Sequence, residues 1–171
     1  IELARLLRRR HEQDPESASL DAVAALDLDA VRHALGPGAT LVEYFLGPDW
    51  IAIFVVDEDG VHVVQTPVGV DDVRRGIERL RFHLAQARRP DPPPSPVALP
   101  SLRANLERLG GIVLDPVKPY LRGPRLVIVP HGLLHHLPFH ALPWGEDGWL
   151  GDRYAVVHAP SAAVYAMCRA R

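Results

Sequence analysis

Two short runs, WIAIFVV at residues 50–56 and LVIV at 126–129, are apolar at every position. Side chains on a β-strand alternate between its two faces, so a strand without polar positions needs cover on both sides. That requirement favours a layered fold in which helices lie on each face of a sheet, and it predicts that both runs are interior strands. Neither run is long enough to be confused with the roughly 18 apolar residues of a membrane span.

The surroundings of each run give it a different role. The first lies within TLVEYFLGPDWIAIFVVDEDGVHVVQTPV, where Gly47-Pro48-Asp49 and Asp57-Glu58-Asp59-Gly60 supply turn chemistry between β-branched and aromatic segments. Three antiparallel strands are predicted there, near 40–46, 50–56 and 61–66. The second run follows Gly123-Pro124, and YAVVHAP at 154–160 is a further strand candidate, with a helix starting at Ser161. Strand, connection, strand and helix in that order open an α/β layer.

Helical spacing fills the intervals. Ile1, Leu3, Leu6 and Leu7 make an apolar face among arginines, and a short helix capped by Asp27 or Asp29 ends near Leu35 at Gly36-Pro37-Gly38. Val73, Ile77, Leu80 and Leu84 mark a helix opened by Asp71-Asp72 and closed by Arg88-Arg89, charges that suit its dipole. Ser101 opens another, with Leu102, Leu106, Leu109 and Val113 on one face and Pro116 ending or bending it. Between these two helices, residues 89–100 hold six prolines and read as an exposed loop of extended geometry.

Composition narrows the function classes. A net charge of −2 offers no general basic field for nucleic acid or an anionic membrane, and no signal peptide opens the chain. One cysteine, Cys168, excludes an internal disulfide and fits a reducing compartment, so a cytoplasmic location is expected. Lys118 is the single lysine against eighteen arginines, a bias that reads as the coding habit of a GC-rich genome. The chain starts at Ile1 inside one helical pattern and stops at Arg171 inside another, which reads as a piece of a longer protein.

Four histidines, His131, His135, His136 and His140, fall within ten positions. Two H-x₃-H spacings suit zinc on a helix, but Gly132 and Pro138 interrupt any helix, and no Cys, Asp or Glu between 126 and 145 completes a ligand set. No metal is expected. Ser161 stands at a strand-to-helix junction, where a nucleophile elbow would be, yet HAPSAAV lacks G-x-S-x-G and Ser161 reads as a helix N-cap. Cys168 lies in a helix interior before Arg169, whereas a catalytic thiolate wants a helix start or a strand-end loop, so it is expected to be a small buried packing residue. His131 ends a strand at a position where α/β folds place ligand groups. Pro130-His131-Gly132 also has the chemistry of a tight turn, which is the favoured reading, with the strand-end role left open.

Three stretches resemble one family. LVIVPHGLLHHLPFHALP is similar to the "LhIvPdGpLhxlPFaALp" signature of CHAT domains, caspase-like domains usually found behind tetratricopeptide repeats. GDRYAVVHAPSAAV resembles the "xxRYAVsyaPSasl" segment that follows, and GPGATLVEYFLGPDWIAIFVVDEDGVHV resembles the region that precedes it. The resemblance implies a caspase–separase type fold with a His–Cys dyad at strand ends, the His in an "HG" and the Cys in an "SAC-x-T/S-G" stretch. Both come after the "PSA" helix, so neither maps onto a position of this chain. His131-Gly132 aligns with the family's "PDG" turn and Cys168 with no motif.

The expected architecture is therefore α/β: an antiparallel β-meander and helices leading into the first strands of a caspase-like three-layer α/β sheet, incomplete at the C-terminus. Residues 1–35 are expected to be a helical lead-in, the end of a helical repeat array, and 36–171 the amino-terminal part of a CHAT domain with the loop at 89–100. No residue of the chain is assigned a catalytic, cofactor-binding or metal-binding role. The expected function is that of the amino-terminal part of a caspase-like cysteine endopeptidase, with an inactive interaction or scaffold module as the alternative. A protein or peptide substrate and the downstream remainder of its own chain are the expected partners, without nucleic acid, membrane or cofactor. Val127 and Val129 are predicted in the sheet, Leu137, Phe139 and Leu142 beneath it, with Pro138 setting the chain direction and the histidines incidental.

Overall fold

A computed structural model of the protein describes residues 28–87 and 98–170. The apolar face read over residues 1–11, the cap at Asp27, the Arg88-Arg89 pair and residues 89–97 of the proline-rich stretch lie outside them. The fold is mixed α/β, built on a five-stranded sheet of order β3-β2-β1-β4-β7. The three strands of the meander are β1 (Ala39–Leu46), β2 (Ile51–Val56) and β3 (Val61–Thr66). The other two are β4 (Arg125–Val129) and β7 (Ala155–His158), and a small separate hairpin pairs β5 (Pro143–Trp144) with β6 (Gly148–Trp149). β1 runs antiparallel to β2 and parallel to β4, and β4 runs parallel to β7.

Both all-apolar runs lie inside the sheet; β4 is buried on both faces, whereas β2 is buried on one face and on the other leaves Ala52 half-covered and Phe54 exposed. Ile51, Ile53 and Val55 of β2 and Leu126 and Ile128 of β4 face one layer, made by α2 (Val70–Ala87) and α3 (Ala98–Val113). Val56 of β2 and Val127 and Val129 of β4 face the other, made by α1 (Leu28–Leu35) and α5 (Ala162–Arg169). A short helix, α4 (Leu150–Arg153), lies between β6 and β7. Each such buried aliphatic side chain contributes about 1.5–3 kcal/mol relative to exposure. The layers are thus a large share of what holds β2 and β4 in the centre.

β1 and β4 are joined over a long sequence separation by a compact device at their starts. Thr40, fully buried, donates its hydroxyl to the Arg122 carbonyl at 2.9 Å and accepts the Arg122 N–H at 2.8 Å. Gly123, with φ of +63°, brings its Cα against the Gly38 carbonyl, so any side chain there would collide with backbone. Asp57 closes the β2–β3 turn by accepting the N–H groups of Asp59 and Gly60 at 2.9 and 3.0 Å, as an Asx turn does.

The helices differ from expectation at their edges. α3 begins at Ala98 rather than Ser101, with Pro100 in the first turn, where a missing N–H breaks no helical bond. Val73, Ile77 and Leu80 of α2 are buried, but Leu84 is exposed, on the rim of an open groove lined also by Leu102, Leu106 and Trp149. α3 stops at Val113, and Pro116 falls in the 3₁₀ helix Asp115–Tyr120 that follows.

Candidate functional site

The carboxyl ends of the parallel strands β1, β4 and β7 gather the titratable groups most suited to chemistry, in the position where open α/β sheets bind ligands. β4 ends at Val129, and the chain turns at Pro130-His131-Gly132, with Gly132 at φ +56°. Two 3₁₀ turns follow, Gly132–His136 and Phe139–Ala141, with Pro138 between them. The turn expected at His131-Gly132 is therefore present. Leu134, Leu137, Phe139 and Leu142 point into the core beneath the sheet, while His131, His135, His136 and His140 face outward. Phe139 packs at 5.3 Å from the ring of Tyr44, whose phenol donates to the Val113 carbonyl at 3.1 Å and whose complete burial pushes its pKa far up.

His131 is more than a turn residue. Its Nδ1 accepts the backbone N–H of Leu46 at 3.1 Å, and its ring stacks on Phe45 at 4.7 Å, which in turn stacks on Trp50 at 5.7 Å. Because Nδ1 is the acceptor, the neutral ring carries its proton on Nε2. The N–H of Gly47 goes to the Trp50 carbonyl on the β2 side, so that of Leu46 points to the β4 side, past the last pairing of Glu43 with Val129. The imidazole supplies the acceptor that β4 no longer can.

Glu43 stands beside it, half-buried on β1 between Val129 and Phe54. Burial raises its pKa, and the nearby backbone N–H of Ala162, in the first turn of α5, pulls the other way. Glu43, Phe45, Phe54, His131 and Pro160 line a cleft of about 340 Å³. An adjoining cleft of about 350 Å³ is lined by Pro130, His135, His158, Ala159 and Pro160. His158, at the end of β7, is held below the usual histidine range first by partial burial and then by repulsion from His140 and His135. Among the described residues no three His, Cys, Asp or Glu are grouped to hold a metal ion.

Neither nucleophile candidate completes a site. Ser161 is the N-cap of α5, its Oγ accepting the Val164 N–H at 3.1 Å, as the sequence predicts. Cys168 is exposed, not buried as expected. The inward positions of α5 go to Ala166, with Ala162 and Tyr165 packed beside it, and Cys168 lies off that face. It follows the cap by seven residues, about 10 Å along the helix axis. Sequence reasoning missed Glu43, though its signal was present: a single acid within the otherwise uncharged strand ATLVEYFL.

Residues 103–171 match the family model of the CHAT domain. This part of the chain is similar to the CHAT domain. The matched segment takes in most of α3, β4, the two 3₁₀ turns, β7 and α5, and the meander precedes it. No curated protein matches the chain. Among solved structures, it is similar to the crystal structure of apo psk41 parM protein, with 10% identity and a TM-score of 0.38 over 82% of this chain. The chain spans 46% of that protein, and so distant a likeness carries no inference about function. Among the described residues no helix is long and apolar enough to cross a membrane.

Proposed function

We propose that the chain is the amino-terminal part of a CHAT-domain protein related to caspase-like cysteine endopeptidases, with the His–Cys pair of that family beyond residue 171. The observation that carries this reading is the separation of roles at the strand ends. A cysteine peptidase needs a thiolate with a base within hydrogen-bond reach and donors for the oxyanion. Here His131 is committed to the Leu46 amide, Ser161 to capping α5, and the sole cysteine to an exposed helical turn. Among the described residues β7 is an edge strand of the sheet, which suits pairing with a strand from the remainder of the same chain. In this reading the substrate is a protein or peptide and the location cytoplasmic, and a preceding array of tetratricopeptide repeats is in keeping with the family.

A second reading, a catalytically silent interaction module, is favoured by the exposed apolar side chains of β2 and β3. A protein extended past residue 171 separates the two. Cleavage of a peptide library that is lost when a cysteine of the added segment is replaced supports the peptidase. Peptide binding without turnover supports the module.

A further inference from the structure

The sheet is covered unevenly. On the α1–α5 side, Leu41, Val56, Val127 and Val129 are buried, but Phe45, Phe54, Val61 and Val63 on that same side of the meander are exposed, Val63 by 61%. The register makes these a patch: Phe54 lies opposite Val63 and Val56 opposite Val61, with Ala52 opposite Phe45. Contiguous exposed apolar surface on a folded domain marks a contact. The exposed charges of the meander are acidic: Asp49, Glu58 and Asp59 lie at its two turns, residues 39–66 contain neither lysine nor arginine, and Arg32 of α1 is the one cation described as reaching the second turn.

We propose that residues 1–10 of the same chain occupy this patch. Ile1, Leu3, Leu6 and Leu7 supply apolar groups at helical spacing, and Arg5, Arg8, Arg9 and Arg10 outnumber the single acid Glu2. That is the complement of an apolar face rimmed by acids. The tether suits it. α1 lies on the patch side of the sheet, and Arg32 fixes it by donating to the carbonyls of Asp57 and Glu58, in the turn next to Val61. The seventeen residues 11–27 between segment and helix span roughly 55 Å when extended, ample for intramolecular docking.

The test is disulfide trapping in the full chain with Cys168→Ala. Leu6→Cys with Val63→Cys is expected to form an intramolecular crosslink, and Leu6→Cys with Leu84→Cys, on the opposite helical layer, is expected to form none. Arg8→Glu, Arg9→Glu and Arg10→Glu together should slow the first crosslink at least several-fold at low salt. Crosslinking only between two chains would assign the patch to a second copy and overturn the proposal, as would equal trapping at Val63 and Leu84. Hydrogen exchange provides a readout without new cysteines. Deleting residues 1–10 should speed exchange of amides in 61–66 several-fold and leave 73–80 unchanged, and unchanged exchange in 61–66 would overturn the proposal.

Discussion

The Nδ1 of His131 accepts the backbone N–H of Leu46 across 85 residues of sequence, and a side chain thereby finishes a ladder that β4 leaves one position short. Removing the imidazole leaves that N–H to water at a partly covered strand end. His131→Ala is expected to lower stability by about 0.5–1.5 kcal/mol, the range for one net hydrogen bond. His131→Asn, which keeps an acceptor in that region, should recover part of it. Urea unfolding of the three proteins measures both effects, and an alanine variant as stable as the parent would show that the bond is unimportant.

Glu43 should shape the acid side of the stability curve. Its folded pKa is raised by burial, so between the ordinary glutamate value and the raised one the folded state holds more protons than the unfolded state. Stability from this group is complete below the ordinary value and is lost as pH rises through the raised one. Glu43→Gln removes that dependence and keeps the shape of the side chain. The variant is expected to gain on the parent as pH rises from the ordinary glutamate value through the raised one, and to hold that gain above it, in unfolding experiments. A difference between the two proteins that is the same below and above that window would show that Glu43 does not carry the dependence.

Phe139 anchors the loop that follows β4. It is fully buried against Tyr44, and its removal leaves a cavity between the sheet and the α2–α3 layer. Phe139→Ala is expected to cost about 3–5 kcal/mol, as large aromatic truncations in cores do. His136→Ala, on the exposed side of the same loop, should stay within about 0.5 kcal/mol of the parent. Chemical denaturation of the pair tests whether apolar and histidine positions divide between core and solvent as the structure has them.

Local chemistry in the sequence was enough for the elements. Strands read at 40–46, 50–56 and 61–66 lie within one residue of their observed ranges, because the turn residues at 47–49 and 57–60 bracket them. Ser161 was legible as a cap because N-capping depends on residues three apart. The site was harder to read, because its contacts are set by strand order. That β1 lies beside β4 decides that His131 meets Leu46 and that Glu43 faces the first turn of α5, and no periodicity encodes that neighbourhood. Cys168 was misjudged for a related reason: which turn of α5 faces the sheet depends on its packing against α1 and on where the strands beneath it end.

Whether residues 1–171 hold a catalytic thiol is decided by assaying them against a peptide library, with and without Cys168→Ala. No cleavage by either protein is expected, and Cys168→Ala is expected to leave unchanged any activity found in a protein extended past residue 171. Cleavage by residues 1–171 that Cys168→Ala abolishes would make Cys168 the nucleophile and contradict the separation of roles at the strand ends.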